Sequence, residues 1–133
     1  MRILFLSLLI LAALASCATE KNSRDNLEKS FKNYNNLLRW HQFEDASRFP
    51  ADTIYGEYRE RLKTAGNVVV IEYRVKDVIY DEKKKEAEVK IEIDYYTFSS
   101  TRLRTVLDNQ KWVYEEKEGK GLWRLMSLLP EFP

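Results

Sequence analysis

The sequence predicts an α+β fold in which N-terminal helices pack on a curved antiparallel sheet of about four long strands. Three observations carry this. Apolar residues as far as Leu62 recur at helical spacing, and from Asn67 the chain turns to branched and aromatic residues that alternate with polar ones. Charged, turn-forming stretches then divide this second half into hairpins.

The chain opens with a positive residue, Arg2, and an apolar run from Ile3 to Ala15 broken by Ser7; small Ala15 and Ser16 precede Cys17, the one cysteine. That is a signal-peptide layout, and the run is shorter than the roughly 20 residues that cross a bilayer. Leu14-Ala15-Ser16-Cys17 looks like the lipobox of bacterial lipoproteins. The resemblance implies cleavage before Cys17 and acyl chains such as palmitate on the cysteine, several chains giving a lasting anchor. The alternative makes Cys17 an ordinary residue beside a standard cleavage site, with Ala13-Leu14-Ala15 as the recognised triplet. On the lipobox reading, residues 1–16 are the signal, 17–24 the lipidated cysteine and tether, and 25–133 one domain. The protein is then expected at the cell envelope, anchored and facing the periplasm. Ala18, standing where an aspartate tends to hold enterobacterial lipoproteins at the inner membrane, favours the outer one.

Leu27, Phe31, Tyr34 and Leu38 form an amphipathic stripe flanked by Leu37 and His41, so a helix is expected from Asp25 to about Gln42 with Asn22 or Ser23 as its cap. FEDASRF, closed by Pro50, suggests a short helical turn, and Ile54, Tyr55, Tyr58 and Leu62 a third stripe stopped by Gly66. VVVIEYRVKDVIY is the first long strand, and the charged run Asp81 to Glu88 a solvated hairpin tip. Val89, Ile91, Ile93 and Tyr95 alternate with charged residues, so the second strand is wet on one face and paired antiparallel. In TRLRTVLDNQKWVYEE the apolar set begins on odd positions (Leu103, Leu107) and ends on even ones (Trp112, Tyr114). Strict alternation then calls for a bulge near Asp108-Asn109-Gln110. EEKEGKG is a second charged tip, and GLWRLMSLL a last strand ended by Pro130.

Basic and acidic side chains number 22 and 21, and Arg2 is the only charge before Cys17, so the balance argues against a nucleic-acid partner. With Cys17 lipidated and His41 the sole histidine, zinc and haem motifs are missing from the sequence and no cofactor is expected. No disulfide is available either, so stability must come from packing.

The order of elements, the helix ending NNLLRWHQFEDA and the terminal pair LDNQKWVYEEKEGKGLWRLMSLLP resemble the nuclear-transport-factor-2-like superfamily, the cystatin-like α+β roll shared by ketosteroid isomerases, and within it small lipoproteins of Gram-negative bacteria. The resemblance spans roughly residues 26–130. It implies an open-ended cavity between helix and sheet, used for catalysis, ligand binding or dimer assembly, and the fold alone does not choose.

Candidate residues follow from chemistry. His41 titrates usefully near neutral pH if it faces a cavity, although a lone helix-end histidine more often packs or faces solvent. Asp94 shares a face with Lys90 and Glu92 and reads as solvated. Asp108 beside the expected bulge is re-aimed toward a site or bonds its own backbone. Trp40, Tyr73, Tyr95, Trp112 and Trp123 offer apolar bodies with polar tips, for a cavity, an interface or the core. Arg102 and Arg104, two apart, could hold an anion. No catalytic constellation emerges, so the expected function is a non-enzymatic binding or assembly module, partnered by the membrane, an envelope protein or a second copy. The alternative is a cavity that binds a small apolar or anionic ligand or runs a weak isomerase-type reaction.

Overall fold

Helix propensity in the first half and strand propensity in the second settle into separate blocks in the computed structural model, which describes residues 22–133. Leu14, Ala15, Ser16 and Cys17 lie outside the described residues. The elements run α1 (22–39), α2 (Phe43–Ala46), one 3-10 turn (Asp52–Ile54), α3 (Tyr55–Thr64), β1 (Val68–Asp81), β2 (Glu86–Thr97), β3 (Ser100–Lys117) and β4 (Lys120–Leu125). The strands form one antiparallel sheet in the order β1-β2-β3-β4. The fold is therefore α+β, with helices packed on a curved, unclosed four-stranded sheet, compatible with a roll.

Spacing of three and four puts Leu27, Phe31, Tyr34 and Leu38 on one face of α1, and all four are buried. Each such burial contributes about 1.5–3 kcal/mol, whereas the exposed Lys32–Glu28 pair is screened by solvent, so tertiary packing rather than surface charge holds this helix. Asn22 and Ser23 do not cap it as expected, because both are already helical. The helix also ends earlier than Gln42. His41 takes a left-handed φ of 56°, its N–H reaching the Leu38 carbonyl at 3.1 Å while the Gln42 N–H reaches Leu37 at 2.8 Å. Those two bonds close the last turn of a helix in the manner usually given to glycine.

Residues 68, 70, 73, 75, 78 and 80 of β1 lie opposite the buried face of β2, at steps of two, three, two, three and two. Each step of three is a bulge, between Val70 and Glu72 and between Val75 and Asp77. Bulges bend and twist a strand, and here they wrap the sheet around α1. Turn residues do the rest. Asp81 accepts backbone N–H bonds from Lys83 and Lys84 at the first tip, and Glu118 and Gly119, both with positive φ, make the two-residue turn into β4.

Two expectations need correction. β3 carries no bulge at Asp108-Asn109-Gln110: its pairing with β2 is continuous from Arg104 to Val113, and the irregularity falls where Ser100 to Arg104 oppose Thr97 to Tyr95. From Arg104 to Tyr114 the even residues face inward, so the apolar phase change is a change of chemistry and not of geometry: Asp108 and Gln110 are inside, Leu103 and Leu107 outside. The last strand stops at Leu125 rather than near Pro130: the Met126 N–H still meets the Lys111 carbonyl of β3 at 2.7 Å, but the Lys111 N–H turns to Ser127 Oγ at 3.1 Å and the backbone ladder ends there. The tail then runs beneath the sheet, burying Leu129.

At Gly121 on β4 a Cβ would run into the Tyr114 ring, which meets Trp123 edge to face with centroids 5.5 Å apart. Gly121→Ala is expected to cost about 1–3 kcal/mol in urea unfolding, the cost of overpacking. An unchanged midpoint would mean the ring swings away freely.

Candidate functional site

Three inward positions of β3, Asp108, Gln110 and Trp112, meet α1 and α3 in the middle of the core. Gln110 is the hub. Its Nε2 donates to Asn35 Oδ1 at 2.8 Å and to Asp108 Oδ2 at 2.9 Å, and its Oε1 accepts from Asn35 Nδ2 at 3.2 Å and from Trp112 Nε1 at 3.3 Å. Asn35 Nδ2 also donates to the Phe31 carbonyl, and the Tyr34 and Tyr58 hydroxyls bond each other at 2.9 Å. Burial without a counter-charge pushes the Asp108 carboxyl up to about 6, although the Gln110 bond pulls the other way. Burial likewise raises the Tyr34 and Tyr58 phenols, with the Asp108 charge adding to both.

A carboxyl titrating near 6 beside two phenols is the chemistry of a proton donor or acceptor, and the missing part is access. Tyr34, Tyr58, Gln110 and Trp112 are almost completely covered. Four surface clefts of about 220 to 590 Å³ have neither Asp108, Tyr34 nor Tyr58 in their walls. One of them, about 590 Å³, lies between α1 and β1 and is lined by Leu27, Phe31, Val75, Val78 and Tyr80 under a rim of Arg24, Glu28 and Lys32. No group of three or more metal-binding side chains occurs among the described residues, and no described helix is long and apolar enough to cross a membrane.

The residues singled out from sequence fall into separate places. Trp112 and Trp123 are buried in the core, Trp123 donating to the Ser23 carbonyl at 2.9 Å, and Trp112 also stands in the wall of the cleft of about 500 Å³. Tyr95 is buried, its ring 4.9 Å from Phe132 and its hydroxyl 2.5 Å from the Pro133 carbonyl, which Arg104 also bonds. That contact takes up the Arg104 guanidinium. Arg102 is exposed across the irregular segment of β3, so the expected two-arginine clamp is not assembled. Tyr73 is half-buried, its hydroxyl reaching the Lys32 carbonyl of α1 at 3.4 Å. Neither His41 nor Trp40 is in the walls of these four clefts. Trp40 is 69 % exposed under the Arg39 guanidinium, and the His41 ring lies tilted with its centroid 4.6 Å from that of Phe43 and 6.5 Å from that of Phe98.

Asp94 sits on the outer face as its alternation indicates. The Arg74 guanidinium, 2.7 and 2.8 Å from its two oxygens, and the Thr105 hydroxyl hold its carboxyl down to about 2. Sequence reasoning passed over Asn35, Gln110, Tyr34 and Tyr58 as polar partners. The available signal was Asn35, an amide four residues from Phe31 inside an apolar stripe.

Neither a protein-family model nor a curated protein gives a significant match to this chain.

Proposed function

We propose that the protein is a lipid-anchored lipoprotein of the bacterial cell envelope, its roll domain a non-enzymatic binding or assembly module facing the periplasm. The anchor rests on the tetrad ending at Cys17, and Ala18 favours the outer membrane. One observation favours binding over catalysis: the inward polar groups are spent on one another in a closed core, while large apolar side chains stand outside. Trp40 is 69 % and Phe98 68 % exposed, and Leu103, Leu107, Leu122 and Ile79 are each more than half exposed. Contiguous apolar surface marks interaction sites, and Leu103 and Leu107 share the outer face of β3.

Cys17→Ser is expected to abolish incorporation of labelled palmitate and to release the protein from membranes, since a single thioether site initiates every acyl attachment. A variant that still carries label and sediments with membranes overturns the anchor. Cross-linking in intact cells tests the module: Trp40→Ala with Phe98→Ala should diminish recovery of an envelope partner.

Asp108 supports a second reading, a binder of a small apolar or anionic ligand or a weak isomerase-type enzyme, in the manner of roll enzymes that pair a carboxyl with a tyrosine. A small molecule dissociating from the native protein in mass spectrometry, and lost in Asp108→Asn, would favour it.

A further inference from the structure

The two edges of the sheet are built differently. β1 is interrupted by two bulges and carries Glu72, Lys76 and Asp77, devices that discourage a further strand. β4 covers only Trp112 to Lys117 of β3, and no described backbone bonds the remaining edge from Leu103 to Asn109. That edge is regular from Arg104 onward and contains neither proline nor glycine.

Its hydrogen-bonding phase can be read from its neighbours. The Tyr114 N–H points to β2, meeting the Lys85 carbonyl, whereas Lys111 turns its carbonyl to Met126 and its N–H to Ser127 Oγ on the opposite side. Even residues therefore bond β2, and odd ones aim N–H and C=O at the open edge. The same odd residues carry their side chains on the outer face, where Leu103 is 59 % and Leu107 52 % exposed.

We infer that this edge pairs antiparallel with the same edge of a second copy of the chain, about a two-fold axis at Thr105, joining two sheets into one of eight strands. This deepens the assembly reading by naming its partner and does not depend on the lipid. Self-complementarity fixes the register. Centred on Thr105, Leu103 of each copy lies opposite Leu107 of the other, Arg104 opposite Val106, and three narrow pairs exchange about six backbone hydrogen bonds. Centring on Leu103 or Arg104 sets arginine opposite arginine; centring on Leu107 sets Leu103 opposite Lys111; centring on Val106 sets Leu103 opposite Asn109. Of the registers that keep outer face with outer face, the Thr105 register alone pairs each leucine with the other.

The test uses the full chain with Cys17→Ser, so that Thr105→Cys is the only thiol, solubilised in mild detergent and exposed to a gentle oxidant. Residues at a two-fold lie within disulfide reach, so a linked dimer is expected on non-reducing electrophoresis. Adding Leu103→Lys and Leu107→Lys, both at exposed positions, should abolish the linked dimer while far-ultraviolet circular dichroism stays unchanged. Only monomer, or a dimer formed equally well when Lys76→Cys on β1 replaces Thr105→Cys, overturns the proposal. An adduct with another protein also overturns the second copy as occupant, but leaves the binding-module reading standing; loss of the anchor shows up separately in the palmitate experiment.

Discussion

Replacing Trp112 with alanine is expected to lower stability by about 3–5 kcal/mol, a large share of the roughly 5–15 kcal/mol that holds a domain folded. Trp112 is completely buried, its ring meeting Tyr34 and Phe49 edge to face at 5.8 and 6.0 Å. Truncation removes those contacts and opens a void at the junction of α1, β3 and the loop after α2. It also takes from Gln110 Oε1 one of its two donors. Urea unfolding with Trp40→Ala alongside is the measurement, because Trp40 is exposed and its loss should move the midpoint little. A Trp112→Ala midpoint as mild as that of Trp40→Ala would mean that the core closes without this ring.

Asp108→Asn is expected to stabilise the protein at neutral pH. In the unfolded chain an aspartate titrates near 3.9, and in the folded one burial lifts Asp108 to about 6. The folded state therefore holds its proton more tightly, and stability drains away as pH rises from about 4 to about 6, then levels off. The total is about 3 kcal/mol, from 1.36 kcal/mol per pKa unit. The asparagine keeps an acceptor for Gln110 and cannot ionise, so the variant should exceed the native chain by that amount at pH 7 and converge with it toward pH 4. Taking the difference between the two chains cancels Asp94, whose lowered carboxyl contributes stability lost only as pH falls toward about 2. Parallel urea midpoints from pH 4 to pH 8 would show that Asp108 reaches water in the folded state.

How far the sequence could be read depends on where each residue finds its partner. The stripe Leu27-Phe31-Tyr34-Leu38 and the alternation Val89-Ile91-Ile93-Tyr95 bury against whatever apolar surface is near, so periodicity alone reveals them. Their elements formed as expected. β3 misleads because its inner face is half polar. Asp108 and Gln110 are tolerated inside only because Asn35, 75 residues before Gln110 in the chain, supplies the matching amide. No local pattern encodes such a match. The bulges of β1 were legible in principle, since Val70, Tyr73, Val75, Val78 and Tyr80 already keep steps of three and two. The site residues fared worse than the fold. Aromatic type makes Tyr95, Trp112 and Trp123 large and amphipathic, which suits a pocket wall and a packed core equally, and only the partners brought by the fold distinguish the two. Asp108 was singled out for a bulge that does not exist, and its interest survives for a different reason: it is buried without a cation.

The entry of the chain into the domain has a mechanical consequence. Ser23 is fastened to Trp123 through its carbonyl, Arg24 to Glu82 at the first hairpin tip, and α1 then runs the length of the core to Leu38. Tension applied at residue 22 and directed away from the domain acts along the helix axis. It must shear Leu27, Phe31, Tyr34 and Leu38 out of the sheet together, whereas a sideways pull would peel them off one turn at a time. Extension from this end is resisted by the whole first helix at once.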